Sequence, residues 1–128
     1  MSKVAVTGGA GFIGSNLCQR LLSQGYDVVV VDDLSTGLIS NVDQVNSEFH
    51  QVTITDPKSL STALKNCETI FHLAARGSVP RSMKNPVATH EVNATGTLSV
   101  LEAARLNGAH VIFSSSSSVY GRNMELPK

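Results

Sequence analysis

The chain has 128 residues, 41% of them hydrophobic and 16% charged, with ten basic side chains against ten acidic ones and a formal net charge of zero. That length suits one domain with a modest core, and the balanced charge excludes the basic stripe that nucleic acid requires. No apolar run approaches the roughly 20 residues of a membrane span. Met1-Ser2-Lys3 leads into a strand without the charged and apolar regions of a secretion signal. Cys18 and Cys67 do not make a disulfide framework, so a reducing cytoplasm is the expected setting.

In chain order, the first element is a short apolar run, Val4-Ala5-Val6, suited to a buried parallel strand. It enters a glycine cluster and then a helix-spaced segment whose predicted apolar face is Phe12, Ile13, Leu17, Cys18, Leu21 and Leu22, with Gly25 as its stop. Gly9, Gly11 and Gly14 spell G-x-G-x-x-G, and Thr7-Gly8, Gly11 and Gly14 spell T-G-x-x-G-x-x-G. A strand, a glycine turn and a helix in that order form a phosphate cradle. The missing side chains admit a pyrophosphate to the backbone, and the helix N-terminus offers free N–H groups. The next strand, Asp27 to Val31, has four valines in a row, as in a sheet covered on both faces. It ends in Asp32-Asp33, about 20 residues beyond the turn, where an acid meets a ribose 2′-hydroxyl. Two acids there repel a 2′-phosphate, and no Arg or Lys follows until Lys58, which favours NAD over NADP. The same pair also suits a turn or helix cap.

Leu34-Ser35-Thr36-Gly37 and the polar stretch to Asn46 read as a loop with one helical turn. Phe49 to Ile54 is a predicted third strand, and Asp56-Pro57 caps a short helix through Leu64. Glu68 to Leu73 is a fourth strand, running out into Ala74-Ala75-Arg76-Gly77-Ser78. Asn85-Pro86 starts a long helix that ends at Asn107-Gly108. By propensity, Gly96 weakens its middle by roughly 1 kcal/mol relative to alanine. Within it, Asn93 is expected to tie backbone together rather than to touch substrate. His110 to Phe113 is a fifth strand, followed by five serines and Val119-Tyr120-Gly121. His50, His72, His90 and His110 lack metal-ligand spacing, so no metal is expected. Strands alternating with helices predict a doubly wound α/β fold, a Rossmann-type parallel sheet in the order 3-2-1-4-5. A dinucleotide-binding domain is expected over 1–121 and a polar tail over 122–128.

Six motifs now stand in order: Thr7 to Gly14, Val31 to Gly37, Phe71 to Ala75, Gly77 to Ser82, Asn93 to Thr97 and Ser114 to Gly121. Through them the chain resembles the extended short-chain dehydrogenase/reductase family, and within it the nucleotide-sugar epimerases. Gly77-Ser78-Val79-Pro80-Arg81-Ser82 points to the UDP-hexose 4-epimerases, including those that accept N-acetylated sugars. The resemblance implies cofactor contacts from Gly8, Gly11, Phe12, Ile13 and Gly14, from Asp32, Asp33, Leu34, Ser35, Thr36 and Gly37, and from Leu73, Ala74, Ala75 and Ser114. Thr53-Ile54 replaces the family's acid–hydrophobic pair at the adenine, which implies weaker contacts there. Ser78, Arg81, Ser116 and Ser117 would meet the sugar or its diphosphate, and Ser116 aligns with the family's catalytic Ser/Thr.

Ser117 and Ser118 stand where family dehydratases carry an Asp-Glu pair, and hydroxyls are poor proton donors near neutral pH. That favours an epimerase, working by reversible hydride transfer at sugar C4 through a 4-keto intermediate, over the alternative of a dehydratase. The family's general base is the Tyr of a Tyr-x-x-x-Lys motif. Tyr120 is followed at i+4 by Met124, so the chain stops before that motif. An inactive cofactor-binding N-terminal portion is the expected state, associating as a homodimer or higher oligomer through helix 86–106 or an edge strand. A self-sufficient NAD-binding module, a subunit completed by another chain, and a remnant with no ligand role are the alternatives.

Overall fold

The computed structural model describes residues 1–127. Lys128, in the expected tail, lies outside the described residues. Five parallel strands form one sheet in the order β3-β2-β1-β4-β5, as the alternation predicts. They are β1 (Lys3–Thr7), β2 (Asp27–Asp32), β3 (Glu48–Gln51), β4 (Thr69–His72) and β5 (His110–Phe113). The helices are α1 (Phe12–Ser23), α2 (Ile39–Asp43), α3 (Pro57–Ala63), α4 (Val79–Lys84), α5 (Pro86–His90) and α6 (Thr97–Asn107).

The valine run explains the layering. Successive strand side chains point to opposite faces, so Val28 and Val30 join Val4, Val6, Cys18 and Leu21 beneath α1. Val29 and Val31 join Ala5, Leu60, Ile70, Val100 and Ala104 against α3 and α6. Both faces are covered, as a parallel sheet requires. Every strand end that feeds a crossover therefore opens on one edge, where the crevice of such a fold lies.

Two expectations are corrected and one element is added. Phe12 and Ile13 are 84% and 65% exposed, not core. At about 100° per residue they lie well around the helix from Cys18, and the buried face is Gly14, Ser15, Cys18 and Leu21. The third strand stops at Gln51 rather than Ile54. Its neighbour β2 ends at Asp32, and after Val52 donates to the Asp32 carbonyl the chain turns. Residues 79–84, for which no element is predicted, form α4, capped by the Ser78 hydroxyl, which accepts from the Arg81 amide.

The long helix begins and ends where Asn85 and Gly108 place it. Asn85 Oδ1 accepts from the Ala88 amide at 3.1 Å, and Gly108 closes the helix in the left-handed region at φ +65°. Between α5 and α6, however, Glu91–Gly96 winds as a π-helical turn, a feature that recurs at functional sites.

Candidate functional site

A cleft of about 490 Å³ lies at the carboxyl edge of the sheet, within the range of small-molecule sites. Its floor is the turn after β1. The Gly8 amide donates to the Val31 carbonyl at 2.8 Å and the Gly11 amide to the Gly8 carbonyl at 3.1 Å. Ser15 makes the first bond of α1 by donating to Gly11. The amides of Phe12, Ile13 and Gly14 thus occupy the helical first turn that has no intrahelical acceptor. No acidic residue lies in that turn, so its partial positive charge is uncompensated. The arrangement is a cradle for an anion.

Two glycines keep it open. Gly8 has φ +73°, and a Cβ there would lie 2.9 Å from the Ala74 amide nitrogen. A Cβ on Gly14 would collide with the Gly8 carbonyl. The turn after β1, the first turn of α1 and the segment after β4 can meet only as bare backbone.

Asp32 builds the second wall. It is 9% exposed, its Oδ2 accepts from the Ala10 amide at 3.0 Å and its Oδ1 from the Leu34 amide at 2.8 Å. The Ala10 carbonyl is held in turn by the Leu38 amide at 3.1 Å and by Asn41 Nδ2 at 2.8 Å. Asp33 Oδ1 accepts from the Ser35 amide. The acid pair therefore does act as a turn brace. Each Asp32 oxygen accepts one of these bonds, and a carboxylate has about four acceptor sites.

The third wall is the segment after β4. Its Leu73 and Ala74 amides lie 3.2 and 3.3 Å from Thr7 Oγ1. Asn93, in the π-helical turn, clasps Arg76 from the other side. Its Oδ1 accepts from the Arg76 amide at 2.7 Å and its Nδ2 donates to the Arg76 carbonyl at 3.0 Å. This is the backbone-tying arrangement expected of Asn93.

Of the residues singled out from sequence, the cleft is lined by Gly8, Gly11, Phe12, Ile13, Gly14, Asp32, Asp33, Ser35, Thr36, Gly37, Ile54, Leu73, Ala74, Ala75 and Ser114. Leu34 instead sits at φ +60° and donates to Asp32. Thr53 does not line it; its hydroxyl pairs with Thr55 Oγ1 at 2.9 Å. Ser78, Arg81, Ser116 and Ser117 also fall outside the lining. Ser78 caps α4, and Ser116 Oγ accepts from the Ser118 amide at 3.1 Å at the head of a 3-10 turn, Ser117–Tyr120. Val31, Val52, Arg76, Val92 and Ser115 line the cleft without having been singled out. Val31, Val52, Arg76 and Ser115 lie at strand ends or just beyond, which is the signal that could have found them; Val92 comes from the π-helical turn and had none.

Neither cysteine offers a nucleophile. Burial pushes the Cys18 thiol up to about 12 and the Cys67 thiol up to about 11, far from the thiolate form that reacts. Among the described residues no group of three His, Cys, Asp or Glu side chains converges on a metal-sized site, and no helix is long and apolar enough to cross a membrane.

The UDP-glucose 4-epimerase of Lactobacillus helveticus is 39% identical to this chain over 128 residues, covering 98% of the chain and 38% of that protein. UDP-glucuronic acid decarboxylase 1 of Danio rerio is 37% identical over 123 residues, covering 93% of the chain and 28% of that protein. In three dimensions the whole chain superposes on 41% of the UDP-glucose 4-epimerase from Stenotrophomonas maltophila, solved with bound NAD and formylated UDP-arabinopyranose. That match has a TM-score of 0.93 and 34% identity. The chain thus spans well under half the length of the relatives it matches. The model of the NAD dependent epimerase/dehydratase family matches residues 4–128, and the chain belongs to that family.

Proposed function

We propose that this chain is the NAD-binding N-terminal region of a nucleotide-sugar 4-epimerase acting on a UDP-hexose. The observation that carries the reading is the convergence of the glycine turn, the uncompensated N-terminus of α1 and the Asp32 carboxylate on one cleft. Side chains at Gly8 and Gly14 would collide with the backbone that forms the walls of that cleft.

The residues present fit a dinucleotide. The first-turn amides of α1 would hold the pyrophosphate. Asp32, braced by Ala10 and Leu34, keeps acceptor capacity for a ribose hydroxyl. Val52 and Ile54 give the adenine an apolar wall, and Leu73 to Ala75 with Ser114 would line the nicotinamide half. When bound, NAD supplies a hydride acceptor and donor for inversion at sugar C4.

Ser116 keeps its hydroxyl proton to donate, because its oxygen already accepts from the Ser118 amide. It would orient a sugar hydroxyl, with Ser117, Ser78 and Arg81 further along the same edge. A serine is not a base at neutral pH. Neither tyrosine, Tyr26 or Tyr120, has a lysine four residues on, so these 128 residues bind dinucleotide without turning over sugar. A dehydratase is the poorer reading, since Ser117 and Ser118 offer no acid–base pair.

Calorimetric titration with NAD and NADP tests this. Saturable binding that prefers NAD and weakens at least tenfold in Asp32→Ala is expected, about 1.4 kcal/mol or more for a lost charged hydrogen bond. A folded chain that evolves no heat with either dinucleotide would refute the reading. UDP-hexose epimerisation by these residues alone at an ordinary enzyme rate would refute the division of labour.

A further inference from the structure

His72 is the largest polar side chain in the core, 2% exposed at the end of β4. Its Nδ1 lies 2.7 Å from Thr7 Oγ1 and its Nε2 lies 2.9 Å from Thr97 Oγ1. The two hydroxyls decide where its proton is. Thr7 Oγ1 accepts from the Ala74 amide at 3.3 Å and shares the Leu73 amide, at 3.2 Å, with the Thr7 carbonyl at 3.1 Å. Its own proton is left for Nδ1. Thr97 donates its single proton to the Asn93 carbonyl at 2.7 Å, so toward the ring it can only accept, and Nε2 must carry the hydrogen. The Thr97 end requires the neutral tautomer with its hydrogen on Nε2, and the Thr7 end, donating to Nδ1, agrees with it.

The relay leads to the cleft wall at both ends. Through Thr7 it reaches the amides of Leu73 and Ala74. Through Thr97 it reaches Asn93, whose side chain clasps Arg76. Leu73, Ala74 and Arg76 line the cleft, whereas Thr7, His72, Thr97 and Asn93 do not.

We propose that His72 is a positioning residue, a neutral ring protonated at Nε2 that joins β1, β4 and the long helix so that Leu73 to Arg76 stand as the dinucleotide-facing wall. The proposal rests on the dinucleotide reading above. The ring's partners among the described residues are Thr7 from β1, Thr97 from α6 and the Phe113 ring of β5 at 5.8 Å between centroids, none of them charged. Burial holds the imidazole below its ordinary protonation range. A charged ring would aim a second N–H at the Thr7 oxygen in competition with the Leu73 and Ala74 amides, and the Thr7 proton would lose its acceptor.

The test pairs Thr97→Val with Thr97→Ser, neither of which alters the cleft lining. Nitrogen-15 NMR of histidine-labelled protein at pH 7 should find His72 neutral with its proton on Nε2 in the wild type and in Thr97→Ser. A charged ring or a proton on Nδ1 would overturn the proposal. Thr97→Val should weaken NAD binding roughly tenfold, the cost of an unpaired buried donor, and Thr97→Ser should restore it. Wild-type affinity in Thr97→Val would overturn the positioning role. If the wild type itself binds no NAD, the dinucleotide reading has failed, and amide exchange decides the relay separately. Lost protection at Ala74, whose amide bonds Thr7 Oγ1, in Thr97→Val supports it, and retained protection there overturns it.

Discussion

At the scale of single residues, His72 makes the fold sensitive to acid. In the unfolded chain an imidazole takes its proton near its ordinary value of 6.5. Burial in the folded chain delays protonation to lower pH. Between those two points the unfolded state holds one more proton, so stability falls as pH drops through about 6.5 and levels off once the folded ring is charged. The carboxylates with lowered values, Glu48 beside Lys3 and His50, Asp56 capping α3 and Glu102 beside Arg105, lose their stabilising partners only at more acid pH. Urea unfolding followed from pH 7 to pH 5 should show this slope, and His72→Gln should flatten it. An unchanged slope in that variant would mean that the ring is not the titrating group. The sequence placed His72 within the fourth strand. Its hydroxyl partners lie 65 and 25 positions away along the chain, and no local pattern announces such pairs. For the same reason Asp32 was legible as an acid after β2, while its brace to Ala10 was not.

At the scale of elements, the long helix carries the clearest reversal. Propensity alone ranks Gly96→Ala as stabilising by roughly 1 kcal/mol. In the structure Gly96 is buried, and a Cβ there would lie 2.6 and 2.7 Å from Ile54 Cδ1 and Cγ1. Ile54 is itself buried at 5% exposure and also lines the cleft, so it has little room to move. Overpacking of this kind costs about 1–3 kcal/mol, and Gly96→Ala should therefore destabilise by about that much in thermal or chemical unfolding. In an Ile54→Ala background the obstruction is gone, and the same substitution should become neutral or stabilising, a coupling of about 0.5–3 kcal/mol. Equal effects in both backgrounds would show that the contact is not what requires glycine. The ends of this helix were readable because Asn85-Pro86 and Asn107-Gly108 are local signals. The π-helical turn was not, because it answers to Ile54 and Arg76 on other elements. α4 escaped for a different reason: at six residues it is too short for periodicity to emerge beside Pro80 and Pro86.

At the scale of the whole molecule, strand order and the crevice edge were legible because strands alternating with helices through right-handed crossovers set the order, and four consecutive valines mark a strand covered on both faces. What covers the outer side of α6 was not legible. Its inner face, Val100, Ala103 and Ala104, packs on the sheet. Its other side presents Leu98 and Leu101, three residues apart and 60% and 47% exposed, and on β5 Ile112 and Phe113 are 45% and 57% exposed. A helix apolar on two sides is one that is covered on two sides, and an uncovered sheet edge beside it invites pairing. These 128 residues on their own should therefore self-associate through α6 and β5. Sedimentation velocity at tens of micromolar should give a mass of a dimer or larger for the wild type. The double variant Leu98→Glu, Leu101→Lys should sediment as a monomer, still folded, and its unfolding should lose the dependence on protein concentration that association gives the wild type. NAD affinity separates this surface from the cleft, because neither leucine lines it. A monomeric wild type would remove the need for any partner on this face, and a variant that stays dimeric would move the contact to another surface of the chain.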